Sequence, residues 1–204
     1  MITLVNYGLG NIQAFANIYN RLNIPVFIAN THDELARADK IILPGVGAFD
    51  WAMTKLNESG MRGCLDDIVI VRRRPVLGVC VGMQMMARRS EEGLLEGLGW
   101  IDAEVRKFDE AGFTQKTYLP HMGWNDAQPK RTECLFRGLD TDARFYFLHS
   151  YYFVCNNPDD VIATTSYGIK YASAVAKNNI YGIQFHPEKS HSNGIQLLHN
   201  FAKL

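Results

Sequence analysis

Hydrophobic and polar positions follow two periods along the first half of the chain. Short apolar runs at Ile2 to Val5, Val26 to Ala29, Ile41 to Leu43 and Val76 to Val79 are the length of strands, and unbroken runs fit strands buried on both faces. Between the first and second runs, Ile12, Phe15, Tyr19 and Leu22 recur at helical spacing. Strand alternating with helix predicts a parallel sheet with crossover helices. The second half changes character, with candidate strands at Ala103 to Lys107, Phe145 to Leu148, Tyr152 to Cys155, Val161 to Thr165, Ala172 to Ala176 and Tyr181 to Phe185. Turn signals at Asn156-Asn-Pro158 and Lys177-Asn-Asn179 separate some of them and predict antiparallel additions to the main sheet. Val81 to Arg89 reads as a helix, and Ile195, Leu198 and Phe201 lie on one face of a closing helix. No internal repeat or linker divides the chain. The expectation is therefore an α/β fold with a mostly parallel central sheet, spanning residues 1–204 as a single domain.

Composition narrows the partners more than the fold. With 204 residues, 47% of them hydrophobic, the chain can bury a full core. Lys plus Arg and Asp plus Glu are 21 each, so no global field draws the protein to nucleic acid or an anionic membrane. Cys64, Cys80, Cys134 and Cys155 are unevenly spaced, with no Cys-x-x-Cys pair and no neighbouring histidine at zinc-ligand spacing. Reduced thiols and no metal site are expected. The N-terminus lacks a basic leader region, and the apolar stretch from Pro75 to Ala87 is too short to span a bilayer. A soluble cytoplasmic protein is the consequence.

Candidate chemistry lies where the predicted strands end, because open α/β sheets bind ligands beyond the carboxyl ends of their strands. Glycine-bearing loops fall there at Asn6-Tyr-Gly-Leu-Gly-Asn11, at Pro44-Gly-Val-Gly47 and around Cys80. Gly8-Leu-Gly10 lacks the third glycine of a dinucleotide fingerprint, since position 13 is Gln13. Arg72-Arg-Arg74 is best explained as a solvated helix end, and Met83, Met85 and Met86 as packing. Pro75-Val-Leu-Gly-Val-Cys80 followed by Val81-Gly82 has the form of a nucleophile elbow, a sharp strand-to-helix turn that exposes one reactive side chain. The start of a helix also favours a thiolate.

His186 and Glu188 supply the remaining groups of a triad. If Tyr181 to Phe185 is a strand, positions two apart face one side and the carboxylate can orient the imidazole. Alone, Cys80 would be a small buried hydrophobe and His186 an ordinary core or surface residue. The elbow together with His186-Pro-Glu188 favours catalysis.

Motifs along nearly the whole chain resemble those of the class I (triad) glutamine amidotransferases. They include Asn6-Tyr-Gly-x-Gly-Asn11, Pro44-Gly-Val-Gly47-x-Phe49, Gly78-Val-Cys80-Val-Gly-Met-Gln84, Ser90-Glu-Glu-Gly93, Pro120-His-Met-Gly-Trp-Asn125, His149-Ser-Tyr151 and Gln184-Phe-His-Pro-Glu-Lys-Ser190. The Pro-Gly-Val-Gly, His-Met-Gly-Trp-Asn and Glu-Lys-Ser segments are similar, more narrowly, to glutaminase subunits of imidazole glycerol phosphate synthase. The resemblance implies a flavodoxin-like fold with helices on both sheet faces, and hydrolysis of glutamine to glutamate and ammonia without cofactor or metal. It implies that Cys80 attacks the amide carbon, that His186 moves the proton and that Glu188 fixes the imidazole tautomer. Backbone amides of Val46, Gly47 and Val81 would form the oxyanion hole, completed by reorientation of the Pro44 to Gly47 loop. Gln84, Gly45, His149, Ser150 and Tyr151 would hold the substrate.

Ammonia free in neutral water is mostly protonated and no longer nucleophilic, so its acceptor should sit close by. The resemblance implies a heterodimer with a (β/α)8-barrel cyclase subunit docked over Asn11, Met122, Trp124, Tyr146 and Lys189. Val81, Arg88-Arg89 and His191 depart from the family's usual residues. They leave two acceptors open: the histidine-pathway cyclase, which is preferred, and an amidotransferase of surface-polysaccharide sugars served by a paralogous glutaminase. A catalytically silent binding module and a cysteine or ester hydrolase on the same scaffold are the remaining alternatives.

Overall fold

The structure, a computed structural model, describes residues 1–113, 118–130, 132 and 134–204. The first half alternates as its periodicity predicts: β1 (Ile2–Val5), α1 (Ile12–Arg21), β2 (Val26–Ala29), α2 (His32–Leu35), β3 (Lys40–Gly45), α3 (Phe49–Glu58), α4 (Arg62–Asp66), β4 (Val76–Cys80) and α5 (Val81–Gln84). A π turn, Asp67–Val71, extends α4. Beyond the elbow come β5 (Arg89–Ser90), β6 (Ala103–Lys107), β7 (His121–Asp126), β8 (Gln128–Pro129), β9 (Arg144–His149), β10 (Tyr151–Cys155), β11 (Val161–Tyr167), β12 (Ile169–Lys177), β13 (Ile180–Ile183) and α6 (His191–Lys203).

The main sheet has the strand order β2-β1-β3-β4-β13-β12-β10-β6-β5, with β11 on β12 and β8 on β11. From β2 to β13 every pairing is parallel, and β12 then returns antiparallel. Each residue of β1 and β4 is buried, as a strand covered on both faces requires. Tyr19 of α1 donates its hydroxyl to the Leu198 carbonyl of α6 at 3.2 Å, fastening these helices together. β13 joins the sheet beside β4, with Gly182 opposite Gly78 and Ile183 opposite Val79. This adjacency brings the sequence-distant ends of β4 and β13 together.

Three local expectations change. The helix after Cys80 stops at Gln84 instead of continuing to Arg89. Its next carbonyls accept from elsewhere: Leu98 N donates to Met85 O at 2.7 Å, Ile101 N to Met86 O at 3.1 Å and Gly97 N to Arg88 O at 2.8 Å. Tertiary partners thus replace the intrahelical ones. The strand predicted through Phe185 ends at Ile183, and His186 begins a 3-10 turn, Pro187–Lys189. Finally, β7 is a strand that periodicity did not reveal, paired antiparallel with β9 in a separate two-stranded ribbon.

The ribbon inverts the usual alternation. Its register puts Met122 opposite Leu148 and Trp124 opposite Tyr146. On this face Met122 is 63% exposed, Trp124 39% and Leu148 37%. His121, Phe145, Phe147 and His149 point inward and are buried. Apolar residues in water and histidines inside defeat a period-2 reading.

Candidate active site

Cys80 ends β4 with φ 55° and ψ −114°, a backbone conformation outside the usual wells for an L-residue. Such strain costs on the order of 1–3 kcal/mol and persists only where surrounding structure enforces it. Here the enforcement comes from close backbone packing. A Cβ on Gly82 would run into the Leu43 carbonyl, and one on Gly78 would meet the Gly82 carbonyl and Met86. A Cβ on Gly45 would strike the backbone of Val81 and Gly82. Gly45, Gly78 and Gly82 thus leave room for the corner, by allowing β3, β4 and α5 to approach.

Cys80 and His186 line one cavity, and His186 meets Glu188 beside it. His186 Nδ1 lies 2.8 Å from Glu188 Oε1, with side chains 4% and 3% exposed. The contact arises from the 3-10 turn, in which Pro187 occupies the first position, and not from strand alternation as predicted. With Nδ1 engaged by the carboxylate, Nε2 is the ring nitrogen left for the thiol. Burial pushes the imidazole down, but hydrogen bonds and negative charge from Cys80 and Glu188 outweigh it and raise it to about 10. A buried imidazolium held between a thiol and a carboxylate is suited to moving a proton to and from a cysteine nucleophile. The backbone fixes the same residue: His186 N donates to Tyr146 O at 2.8 Å, tying the triad turn to β9.

A cavity of about 290 Å³ opens over Cys80. Val46, Gly47, Val81, Gln84, His149, Ser150, Tyr151, His186 and Lys189 line it, as do Glu92, Pro120 and Leu148. Gly47 has φ +85°, a conformation that favours glycine, and among the described residues neither Val46 nor Gly47 donates a backbone hydrogen bond. Gly45, expected at the substrate, pairs with Cys80 and packs against the elbow. Lys189 reaches the cavity from the triad turn, its Nζ 5.7 Å from the centre of the Tyr146 ring. Met122 and Trp124 stand on the ribbon's outer face, and Trp124 stacks on His191 at 5.1 Å. Asn11 is exposed and caps α1, accepting from Ala14 N at 3.2 Å. The Gly8-Leu-Gly10 loop is structural: Gly10 lies against Pro44, and Tyr7 donates to Pro44 O at 2.7 Å.

Sequence reasoning left two polar residues of the site, Gln184 and Glu92, without roles. Gln184 is fully buried; its Nε2 lies 3.8 Å from Cys80 Sγ and its Oε1 accepts from Gln84 Nε2 at 3.0 Å. Glu92 accepts from Phe49 N at 2.9 Å, and burial raises its carboxyl despite that bond. Both lie inside quoted motifs, yet an amide or carboxylate within a motif carries no signal of which neighbour it meets. Among the described residues no group of histidine, cysteine, aspartate and glutamate could hold a metal ion. All four cysteines are free thiols, and no helix among the described residues is long and apolar enough to cross a membrane.

Comparison with known proteins places these features in a family. The family described as Glutamine amidotransferase class-I matches residues 4–204. A protein of Bdellovibrio bacteriovorus named imidazole glycerol phosphate synthase subunit HisH is 59% identical over 204 residues, covering 100% of both chains. One of the same name from Leptospira borgpetersenii is 49% identical, again over 100% of both. The structure of PurLQS from Thermotoga maritima shares the fold, with a TM-score of 0.72 at 15% identity over 99% of this chain and 97% of that one.

Proposed function

The chain belongs to the class I glutamine amidotransferase family, and we propose on that premise that it is the glutaminase subunit of an imidazole glycerol phosphate synthase, serving histidine biosynthesis. Residues 1–204 act as one glutaminase domain. The observation that carries the reading is the buried contact of His186 with Glu188 beside a strained Cys80, at the floor of a cavity of about 290 Å³.

The Cys80 thiolate attacks the side-chain amide carbon of glutamine, forming a carbon–sulfur bond and a tetrahedral oxyanion. Amides of Val46, Gly47 and Val81 stabilise that charge once the Val46-Gly47 segment aims its donors inward. His186 gives its Nε2 proton to the departing nitrogen, ammonia leaves, and a glutamyl thioester remains. Water, deprotonated by the same imidazole, then hydrolyses the thioester to glutamate and restores the thiol. Glu188 keeps the proton on Nδ1 and stabilises the imidazolium. Gln84 and the His149-Ser150-Tyr151 segment orient the substrate from the cavity wall, with Gly45 acting through the elbow.

Ammonia passes to a cyclase subunit. The (β/α)8-barrel form of that partner docks on the exposed Met122, Trp124, Leu148 face, with Tyr146, Lys189 and Asn11 at its edge. This surface is continuous with the cavity, because Leu148 and Lys189 also line it. Glutamate release measured with the barrel subunit present tests the reading: wild type turns over and Cys80→Ala does not. Full activity in Cys80→Ala overturns it.

A further inference from the structure

The inner face of the β7–β9 ribbon carries buried polar groups that the triad mechanism does not use. His121 Nδ1 lies 2.9 Å from the Tyr171 hydroxyl, and His149 Nε2 lies 3.1 Å from the same oxygen. His149 Nδ1 is 2.7 Å from Tyr151 O, and His121 Nε2 is 3.2 Å from Asn125 Nδ2. Tyr151 O also accepts from Gln84 Nε2 at 3.2 Å, and Gln84 leads through Gln184 to Cys80 Sγ.

We propose that Tyr171 is a positioning residue through which the β7–β9 ribbon holds the substrate-binding segment and the nucleophile, by one unbroken hydrogen-bond chain from Asn125 to Cys80. The proposal rests on Cys80 being the glutaminase nucleophile.

The carbonyl of Tyr151 sets the polarity of the links, and Thr165, whose hydroxyl donates to Asp126 O at 2.9 Å, also neighbours the phenol. A carbonyl only accepts, so His149 Nδ1 must carry its proton toward Tyr151 O, leaving the Nε2 lone pair to accept the Tyr171 hydrogen. The phenol oxygen has then used its only hydrogen and accepts from His121 Nδ1. His121 Nε2 consequently accepts from Asn125 Nδ2, whose amide is itself oriented by donating to Ser166 O at 3.0 Å. Both rings are neutral: burial pushes His121 down to about 4 and His149 down to about 3. At the other end, Gln84 spends its amide hydrogens on Tyr151 O and Gln184 Oε1. Gln184 therefore turns its N–H toward the sulfur, 3.8 Å away.

Without the phenol, the buried Nε2 lone pair of His149 has no donor, and the ring turns to find one, loosening its bond to the Tyr151 carbonyl. That carbonyl also anchors Gln84 and, through Gln184, the sulfur. Tyr171 thus fixes the orientation of the His149 ring in the cavity wall.

The test measures glutamine kcat and KM for the full chain with its barrel partner in Tyr171→Phe, Gln184→Leu and the double variant. Each single change lowers kcat/KM about tenfold, the size of one buried hydrogen bond, and the double is within about twofold of the worse single. Effects that multiply to about a hundredfold mean separate actions and overturn the proposal. A second pair guards against misfolding: His121→Asn retains a donor toward Tyr171 and stays within about threefold of wild type, whereas His121→Leu loses about tenfold. Equal behaviour of that pair also overturns it. Alkylation of Cys80 by iodoacetamide reads the same variants without glutamine turnover, slowing in Tyr171→Phe and Gln184→Leu, and unchanged rates again refute the chain. A wild type that neither releases glutamate nor is labelled at Cys80 by a glutamine-mimicking electrophile sinks the glutaminase reading instead.

Discussion

Replacing Glu188 by glutamine removes one charge from a buried contact while keeping an oxygen that can accept from His186. The contact is 2.8 Å long and both side chains are at most 4% exposed, so solvent screens it little. Charge centres about 4 Å apart interact by about 4 kcal/mol at an effective dielectric near 20, which bounds the loss from above. A hydrogen bond to a charged group is worth about 1.5–3 kcal/mol net. Taking about 2.7 kcal/mol of transition-state stabilisation as lost, kcat for glutamine hydrolysis should fall about a hundredfold. KM should change little, because Glu188 does not line the cavity. Cys80 alkylation followed from pH 5 to 10 supplies the second readout; the rate profile of Glu188→Gln should move to higher pH as the imidazolium loses its counter-charge. Stability carries the same sign: His186 is raised to about 10, so its contribution is complete below the unfolded value of about 6.5 and is lost as pH rises through about 10. Glu188→Gln should flatten that alkaline loss. A variant within threefold of wild-type kcat, with an unshifted alkylation profile, would refute an electrostatic role for Glu188.

Two further outcomes concern the frame around the site. Gly82→Ala should destabilise the protein by at least about 2 kcal/mol and abolish glutamine hydrolysis, since its Cβ must displace the Leu43 carbonyl and with it the elbow; an unchanged urea midpoint would contradict the packing account. Acid should be more damaging than a neutral core implies: His121 and His149 are held down to about 4 and about 3, so the unfolded chain binds protons that the folded one refuses as pH drops below about 6.5. The expected loss approaches about 1.4 kcal/mol per pH unit for each histidine between pH 6 and 4, measured by denaturant titration, and a flat stability across that window would show the rings protonated in the native state.

Legibility in the sequence tracks the range of the interaction involved. β6 was readable to the residue, because a five-residue alternation of Ala103, Val105 and their polar neighbours is its own signal. β7 was not, because Met122 and Trp124 face outward and His121 inward, a pattern that makes sense only once the pairing with β9 and the side it buries are known. The early end of α5 was hidden for a related reason: Val81 to Arg89 is an acceptable helix by itself, and only the 97–103 segment competes for its backbone groups.

Local chemistry along the chain determined the fold class, the elbow at Cys80 and the pairing of His186 with Glu188, because hydrophobic periodicity, small glycines and a proline-fixed turn act over a few residues. Tertiary structure alone decided that β13 lies beside β4, that Gly45 props the elbow and that Gln184 faces the sulfur. These depend on which backbones approach one another across the sheet. Such proximity comes from packing the whole core and leaves no periodic mark on the residues that it unites.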